Sequence, residues 1–263
     1  MIQSIFISTF LLSLAVQVLF FIYAAWKRTD TVTDLSYGLT FIVLAVYSIF
    51  INQTLFSYQI VVAAMIVLWG IRLATYLFIR INTMKRDKRF DGIREKFWSF
   101  ASFWFFQAIA VWVISIPATY LHSLTIETPF GIVMLIGVIV WAAGMIIETI
   151  ADVQKFTFKN NPANKGKWIE TGIWKYARHP NYFGEMTCWW GVFILSIPLQ
   201  SGLSWITIIG PITITYILLF ATGIPTLEKK YNEIYKDNEE YQKYKCSTNL
   251  LIPFPRFDSS QSR

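Results

Sequence analysis

Seven runs of apolar residues, at roughly 4–26, 34–52, 58–79, 97–120, 129–150, 183–199 and 203–224, constrain this chain more than any other feature. Most are close to the ~20 residues that carry a helix across the hydrocarbon core of a bilayer. In hydrocarbon every backbone N–H and C=O must be satisfied inside the segment, so runs of this length read as α-helices. The expected fold is therefore all-α, a polytopic integral membrane bundle of seven transmembrane helices. The sixth run is short and is expected to tilt little or to begin in the interface. With 55% hydrophobic residues and a mean hydropathy of +0.46, the chain is too apolar for an ordinary soluble domain.

The basic residues set an orientation. Lys27 and Arg28 follow the first run. Arg80, Lys85, Arg86, Lys88, Arg89, Arg94 and Lys96 lie between the third and fourth. Six more, Lys155, Lys159, Lys165, Lys167, Lys175 and Arg178, lie between the fifth and sixth, and seven follow the last run. The segments after the second, fourth and sixth runs carry none. Basic segments stay cytoplasmic, which puts the N-terminus outside and the C-terminus inside. Of the 23 Lys and Arg only Arg72 falls within a run. The net charge of +7 is accounted for by this topology signal and by anionic lipid headgroups, with some cations free to hold an anionic cofactor. No nucleic-acid-binding module is present, and no nucleic-acid partner is expected.

Cys188 and Cys246, in a predicted span and a cytoplasmic tail, are not expected to form a structural disulfide. No His/Cys cluster has zinc spacing, and no metal site is expected. The first run lacks a basic leading segment and a small-residue cleavage site, so it reads as a retained helix. A short chain without an organelle retention signal suits a bacterial inner membrane. The chain reads as a single membrane domain, 1–263. Residues 1–96 hold helices one to three and a basic loop, the expected substrate side. Residues 97–263 hold helices four to seven with cytoplasmic cofactor-binding loops and tail.

The polar residues concentrate in two places. The run Arg178-His179-Pro180-Asn181-Tyr182-Phe183-Gly184-Glu185 heads the sixth apolar run. Uncompensated polar groups at a membrane boundary are costly, so such a cluster suggests a site. Asp152, Gln154, Lys155, Lys159, Lys167, Gly172, Trp174 and Tyr176 precede it. Together they offer cations for phosphates, amide donors and aromatic faces, the set a nucleotide cofactor needs. Interfacial Trp, Tyr and Lys anchors explain part of this set equally well. On the third run Arg72 and Tyr76 stand four apart on one helix face, and an intramembrane Arg faces a partner or a wet cavity unless it snorkels to the interface. Asp34 and Tyr37 share a face at the start of the second run and could donate hydrogen bonds to a carbonyl, the Asp in protonated form. The alternative is that Asp34 caps the helix and Tyr37 anchors it. Glu127 and His122 on an outer loop have no evident partner.

Residues Asp152 to Pro253 resemble the C-terminal part of the steroid 5-alpha-reductase superfamily, most closely its bacterial branch of uncharacterised membrane proteins. The likeness rests on Ala151-Asp152-Val-Gln154-Lys155, Thr171-Gly172-Ile-Trp174-Lys-Tyr176, the Arg178–Glu185 run, Leu227-Glu228-Lys-Lys-Tyr231 and Leu251-Ile252-Pro253, with a weaker likeness through Trp69-Gly-Ile-Arg72-Leu-Ala-Thr-Tyr76. It implies an NADPH-dependent membrane reductase of a carbon–carbon double bond conjugated to a carbonyl. The substrate would be apolar, a 3-oxo-4-ene steroid or an isoprenoid-like molecule. It further implies cofactor contacts from Arg72, Tyr76, Asp152, Lys159, Lys167, Asn181, Tyr182 and Tyr231, beside Trp174, Tyr176, Arg178, His179 and Glu185 of the same cluster. The tyrosine that the superfamily places three residues before the arginine is Trp69 here. A more distant likeness, in Arg178-His179-Pro180-x-Tyr182 and Glu228, is to isoprenylcysteine and phospholipid methyltransferases, which would imply S-adenosylmethionine as cofactor. A non-catalytic lipid-binding membrane protein is the third reading. Protein partners are not specified by the sequence.

Overall fold

The structure is a computed structural model that describes residues 2–84 and 90–255. Lys85, Arg86, Lys88, Arg89, Arg256 and Arg263 lie outside the described residues. The described chain folds into α1 (Ile2–Lys27), α2 (Thr33–Ile51), α3 (Ser57–Met84), α4 (Phe97–Ile114), α5 (Ile116–Ser123), α6 (Ile132–Asn160), α7 (Pro180–Ser196), α8 (Ile209–Tyr216), α9 (Ile224–Ile234) and α10 (Glu239–Ser247), joined by short 3₁₀ turns and one π turn at Ile217–Ala221. Among the described residues no strand forms, only an isolated parallel bridge between Ala177 and Asn249.

Among the described residues six stretches are long and apolar enough to cross a membrane: Gln3–Lys27, Thr33–Ile51, Ser57–Thr83, Phe97–Ile114, Ile132–Asn160 and Gly202–Ile234. An all-helical chain with six such stretches is an integral membrane protein. The expected seventh crossing, α7, has 17 residues and is not among them. Two boundaries also differ from the sequence reading. The fourth run breaks at Ser115, because Pro117 sits in the first turn of α5 and cannot continue the ladder of α4. The fifth continues as helix to Asn160. Its last turns stay amphipathic, with Ala151 and Phe158 packing against Ile169, Ile173 and Trp174.

The chain divides into two compact units: Met1–Ile139 with Trp189–Thr213, and Val140–Cys188 with Ile214–Arg263. In the first unit α2 packs on α3, and α1 on α2 and α4. Several polar side chains inside it pair with one another. Gln17 Nε2 donates to Thr40 Oγ1 at 2.7 Å, and Gln107 Nε2 donates to Gln17 Oε1 and Ser36 Oγ, both at 3.0 Å. His122, without a partner in the sequence reading, donates from Nε2 to the Gln59 carbonyl at 3.2 Å. Its Nδ1 then accepts from Ser48 Oγ at 2.6 Å, tying α5 to α2 and α3. In the second unit α6 and α7 meet backbone to backbone: a Cβ on Gly184 would stand 2.6 Å from Glu148 N and 2.7 Å from the Gly144 carbonyl. That contact fixes the head of α7.

Candidate functional site

The second unit builds its polar centre from three segments. Gly172 opens a 3₁₀ turn (Gly172–Lys175) with φ +62, and a Cβ there would lie 2.4 Å from Gln154 Oε1. Only glycine meets both conditions. Gln154 Oε1 in return accepts from Ile173 N at 3.0 Å. The turn buries Trp174, whose Nε1 donates to the Ala151 carbonyl at 3.0 Å and whose ring lies under Lys155 Nζ at 4.8 Å. Tyr244 Oη donates to the Trp174 carbonyl at 2.9 Å. Beyond the turn the tail pairs with the motif: Arg178 N donates to the Asn249 carbonyl, His179 N to the Leu250 carbonyl, and Asn249 N to the Tyr176 carbonyl. Pro180 then opens α7, where its missing N–H costs nothing.

Arg178, His179 and Glu228 form one cluster. Arg178 Nε and Nη2 donate to the two oxygens of Glu228 at 3.1 and 3.2 Å, a bidentate fork. Arg178 Nη1 donates to the carbonyls of Lys245 and Thr248 at 2.6 and 3.0 Å. With these bonds made, little of the five-donor guanidinium is left for a ligand. These bonds lock α10 and the tail onto α9. His179 is 1% exposed, and its Nε2 donates to Glu228 Oε1 at 2.8 Å. Burial pulls His179 below its ordinary value, partly opposed by Glu228. Its ring stacks on Tyr182 with centroids 5.8 Å apart.

Two buried acceptors at the head of α7, His179 Nδ1 and Asn181 Oδ1, have no hydrogen-bond partner among the described residues. Unsatisfied buried acceptors in a native fold call for a donor from elsewhere. Carboxylates are buried on the same two helices: Glu148 and Asp152 one turn apart on α6, and Glu185 on α7. Lys159 Nζ donates to the Lys167 carbonyl at 3.4 Å and stands 6.0 Å from the Tyr231 ring, which leaves most of its ammonium for other partners. The remaining aromatics are packed: Trp168 meets Tyr235 and Tyr241 at 5.2 Å, and Tyr235 meets Tyr241 at 4.9 Å. Burial, with Glu228 adding to it, pushes the Tyr241 phenol up to about 12. The cavity among these rings, bounded by Trp174, Arg178, His179 and Glu228, encloses about 20 Å³. That is room for about one water. Trp174 is buried, with 2% of its surface exposed.

The first unit holds the other expected residues. Arg72 Cζ lies 5.7 Å from the Tyr76 ring centroid, on one face of α3 as their spacing requires. Asp34 Oδ2 accepts from Arg80 Nη2 at 2.5 Å. This contact makes Asp34 the ion-pair partner of Arg80 and joins the start of α2 to the end of α3. Tyr37 stands in an aromatic cluster instead, with Phe41 at 5.1 Å and Trp69 at 6.5 Å.

The structure thus gathers Asp152, Lys159, Lys167, Trp174, Tyr176, Arg178, His179, Asn181, Tyr182, Glu185 and Tyr231 in one unit, and Asp34, Tyr37, Arg72 and Tyr76 in the other. The sequence reading passed over Glu228 as a site residue and did not single out Gln154's capping bond or Tyr244. A signal for Glu228 was present: it stands three and seven residues before Tyr231 and Tyr235, on the face of α9 that those tyrosines mark.

These features define a helical membrane protein with a polar, buried-acceptor site at the head of one helix. The chain belongs to the family described as protein of unknown function DUF1295, which it matches over residues 20–248. It is 26% identical over 120 residues to 3-oxo-5-alpha-steroid 4-dehydrogenase 1 of Rattus norvegicus, covering 46% of this chain and 41% of that protein. It is 30% identical over 151 residues to the Delta(14)-sterol reductase of Ascobolus immersus, covering 51% and 32%. A shorter match, 41% identical over 46 residues, is to a probable O-methyltransferase of Ustilaginoidea virens and covers 18% and 16%. The chain therefore spans less than half the length of each of these relatives. No solved structure matches it. The matches agree with the resemblance to the steroid 5-alpha-reductase superfamily carried by the motifs.

Proposed function

We propose that this protein is an NADPH-dependent membrane reductase that saturates a carbon–carbon double bond conjugated to a carbonyl. Its substrate is apolar, such as a 3-oxo-4-ene steroid or an isoprenoid enone. The observation that carries the reading is the pair of buried acceptors at the head of α7, His179 Nδ1 and Asn181 Oδ1, that have no hydrogen-bond partner among the described residues. A nicotinamide carboxamide or a ribose hydroxyl supplies the donor that Asn181 lacks, and Lys159 and Lys167 supply charge for phosphate. The two reductases among the relatives support the same reading.

When bound, NADPH supplies hydride to the β carbon of the substrate. The chain's own part is to hold the cofactor through Asn181, Tyr182, Asp152, Lys159, Lys167 and Tyr231. Tyr37 donates a hydrogen bond toward the carbonyl, and Asp34 positions α2 through Arg80. Saturation is completed by a proton at the α carbon, drawn from solvent. In this reading α7 is a seventh crossing, short at roughly 25 Å. The N-terminus is outside, the C-terminus is cytoplasmic, and the membrane is a bacterial inner membrane. Burial of the lipid in the bundle contributes roughly 25 cal/mol per Å² of apolar area.

A methyltransferase using S-adenosylmethionine is the second reading, favoured by the short match to an O-methyltransferase. Purified protein titrated with NADPH, NADH and S-adenosylmethionine, followed by tryptophan fluorescence, separates the two. Saturable NADPH binding that weakens at least tenfold in Asn181→Ala is the expected result. Binding of S-adenosylmethionine alone overturns the reductase reading, and unchanged NADPH affinity in Asn181→Ala overturns the site.

A further inference from the structure

The first unit contains a buried aromatic cluster made by three helices. Phe41 of α2 lies 5.2 Å from Trp69 of α3 and 4.7 Å from Trp189 of α7, and Trp69 and Trp189 are 5.2 Å apart. Tyr37, one turn before Phe41, joins it edge-on. Trp189 is 2% exposed, and its Nε1–H has no hydrogen-bond partner among the described residues. Its ring neighbours in the cluster, Phe41 and Trp69, offer no side-chain acceptor. An indole N–H left unpaired in a dry interior is costly, and a phenylalanine would fill much of the same space without that cost. The donor is therefore unmatched by the described residues and suited to an acceptor supplied by a ligand.

We infer that the Trp189 indole N–H is a second hydrogen-bond donor, beside Tyr37, to the carbonyl oxygen of the apolar substrate, in the cluster formed with Phe41 and Trp69. The inference rests on the proposed reductase reading. As the conjugated double bond is reduced, its electron pair moves toward the carbonyl oxygen, and a donor already aimed at that oxygen stabilises the charge without reorganising. The surrounding apolar rings exclude the water that would weaken the bond. A second indole N–H without a partner, on Trp104, lies in a different cluster with Phe21, Phe100 and Phe103 and serves as the control.

The test uses the full chain in detergent with NADP⁺, which supplies no hydride, and a 3-oxo-4-ene steroid labelled with ¹³C at the carbonyl. Isotope-edited infrared spectra are compared for wild type, Trp189→Phe and Trp104→Phe. The expected result is a carbonyl stretch at lower frequency in wild type and Trp104→Phe than in Trp189→Phe. With NADPH, turnover of Trp189→Phe is expected to fall about 100-fold, with NADPH affinity unchanged. Should Trp189→Phe fail to fold, benzothienylalanine at position 189 keeps the ring and removes the N–H. Identical carbonyl frequencies with and without the N–H overturn the inference and leave the reductase reading standing. A wild-type protein that binds NADPH but not the steroid overturns the inference together with the substrate class.

Discussion

His179 Nε2 and Glu228 Oε1 meet at 2.8 Å, with the histidine side chain 1% exposed and the carboxylate 16% exposed. Because the carboxylate accepts, Nε2 carries the proton and Nδ1 is a bare acceptor. A second proton on Nδ1 would place an unpaired N–H in a buried site. Burial accordingly holds His179 below its ordinary 6.5, against the opposing pull of Glu228. A base whose value is lowered on folding contributes stability that is complete above the unfolded value and is lost as pH falls through the folded one. Thermal melts in detergent are expected to be flat above about pH 7 and to decline below about pH 6.5. His179→Gln, which keeps a donor but cannot titrate, is expected to flatten that decline. Parallel declines in wild type and variant would assign the effect to another group.

Glu228 neutralises Arg178 while also accepting from His179. Glu228→Ala leaves a half-buried guanidinium with its fork empty, and breaking such a pair costs on the order of 3 kcal/mol. Glu228→Gln retains one acceptor oxygen and is expected to cost less. Denaturant unfolding followed by tryptophan fluorescence should rank wild type, Gln and Ala in that order. Equal stability of the Ala variant would mean that Arg178 finds other partners.

Gly166 and Gly172 both have positive φ, +81 and +62, but differ in their surroundings. A Cβ at Gly166 meets nothing within 4 Å, whereas at Gly172 it would stand 2.4 Å from Gln154. Gly166→Ala is expected to cost roughly 1 kcal/mol from backbone strain alone. Gly172→Ala adds overpacking of about 1–3 kcal/mol and displaces the Gln154 cap. Comparing the two melting temperatures tests this directly, and equal losses would show that Gln154 yields freely.

Much of this architecture was legible because membrane spans and motifs are local signals. Apolar runs locate most of the helices, and the Arg178–Glu185 run locates the head of α7. The spacing of Arg72 and Tyr76 anticipates their contact. What escaped the sequence depends on contacts between distant segments. Asp152, Lys155 and Lys159 look like a loop by charge, yet α6 continues through them because Ala151 and Phe158 pack against residues near 169–174. The bonds from Arg178 to the carbonyls of Lys245 and Thr248 span nearly seventy residues and leave no local signal. The pairing of Asp34 with Arg80, forty-six residues on, is equally out of view in the sequence.

That last pair separates a structural carboxylate from a reacting one. Asp34 and Arg80 join α2 to the end of α3 at 2.5 Å, with side chains 24% and 28% exposed. An ion pair this exposed contributes roughly 1 kcal/mol or less, so Asp34→Asn is expected to lower the melting temperature slightly. It is also expected to reduce enone turnover by loosening the segment that carries Tyr37, one turn from Asp34. The double variant Asp34→Arg with Arg80→Asp restores opposite charges at the same place. If Asp34 acts only through Arg80, stability and turnover recover together, and this is the expected outcome. Recovered stability with turnover still lost would return the carboxylate to the chemistry, because only a group needed at its own position is not rescued by exchanging the charges.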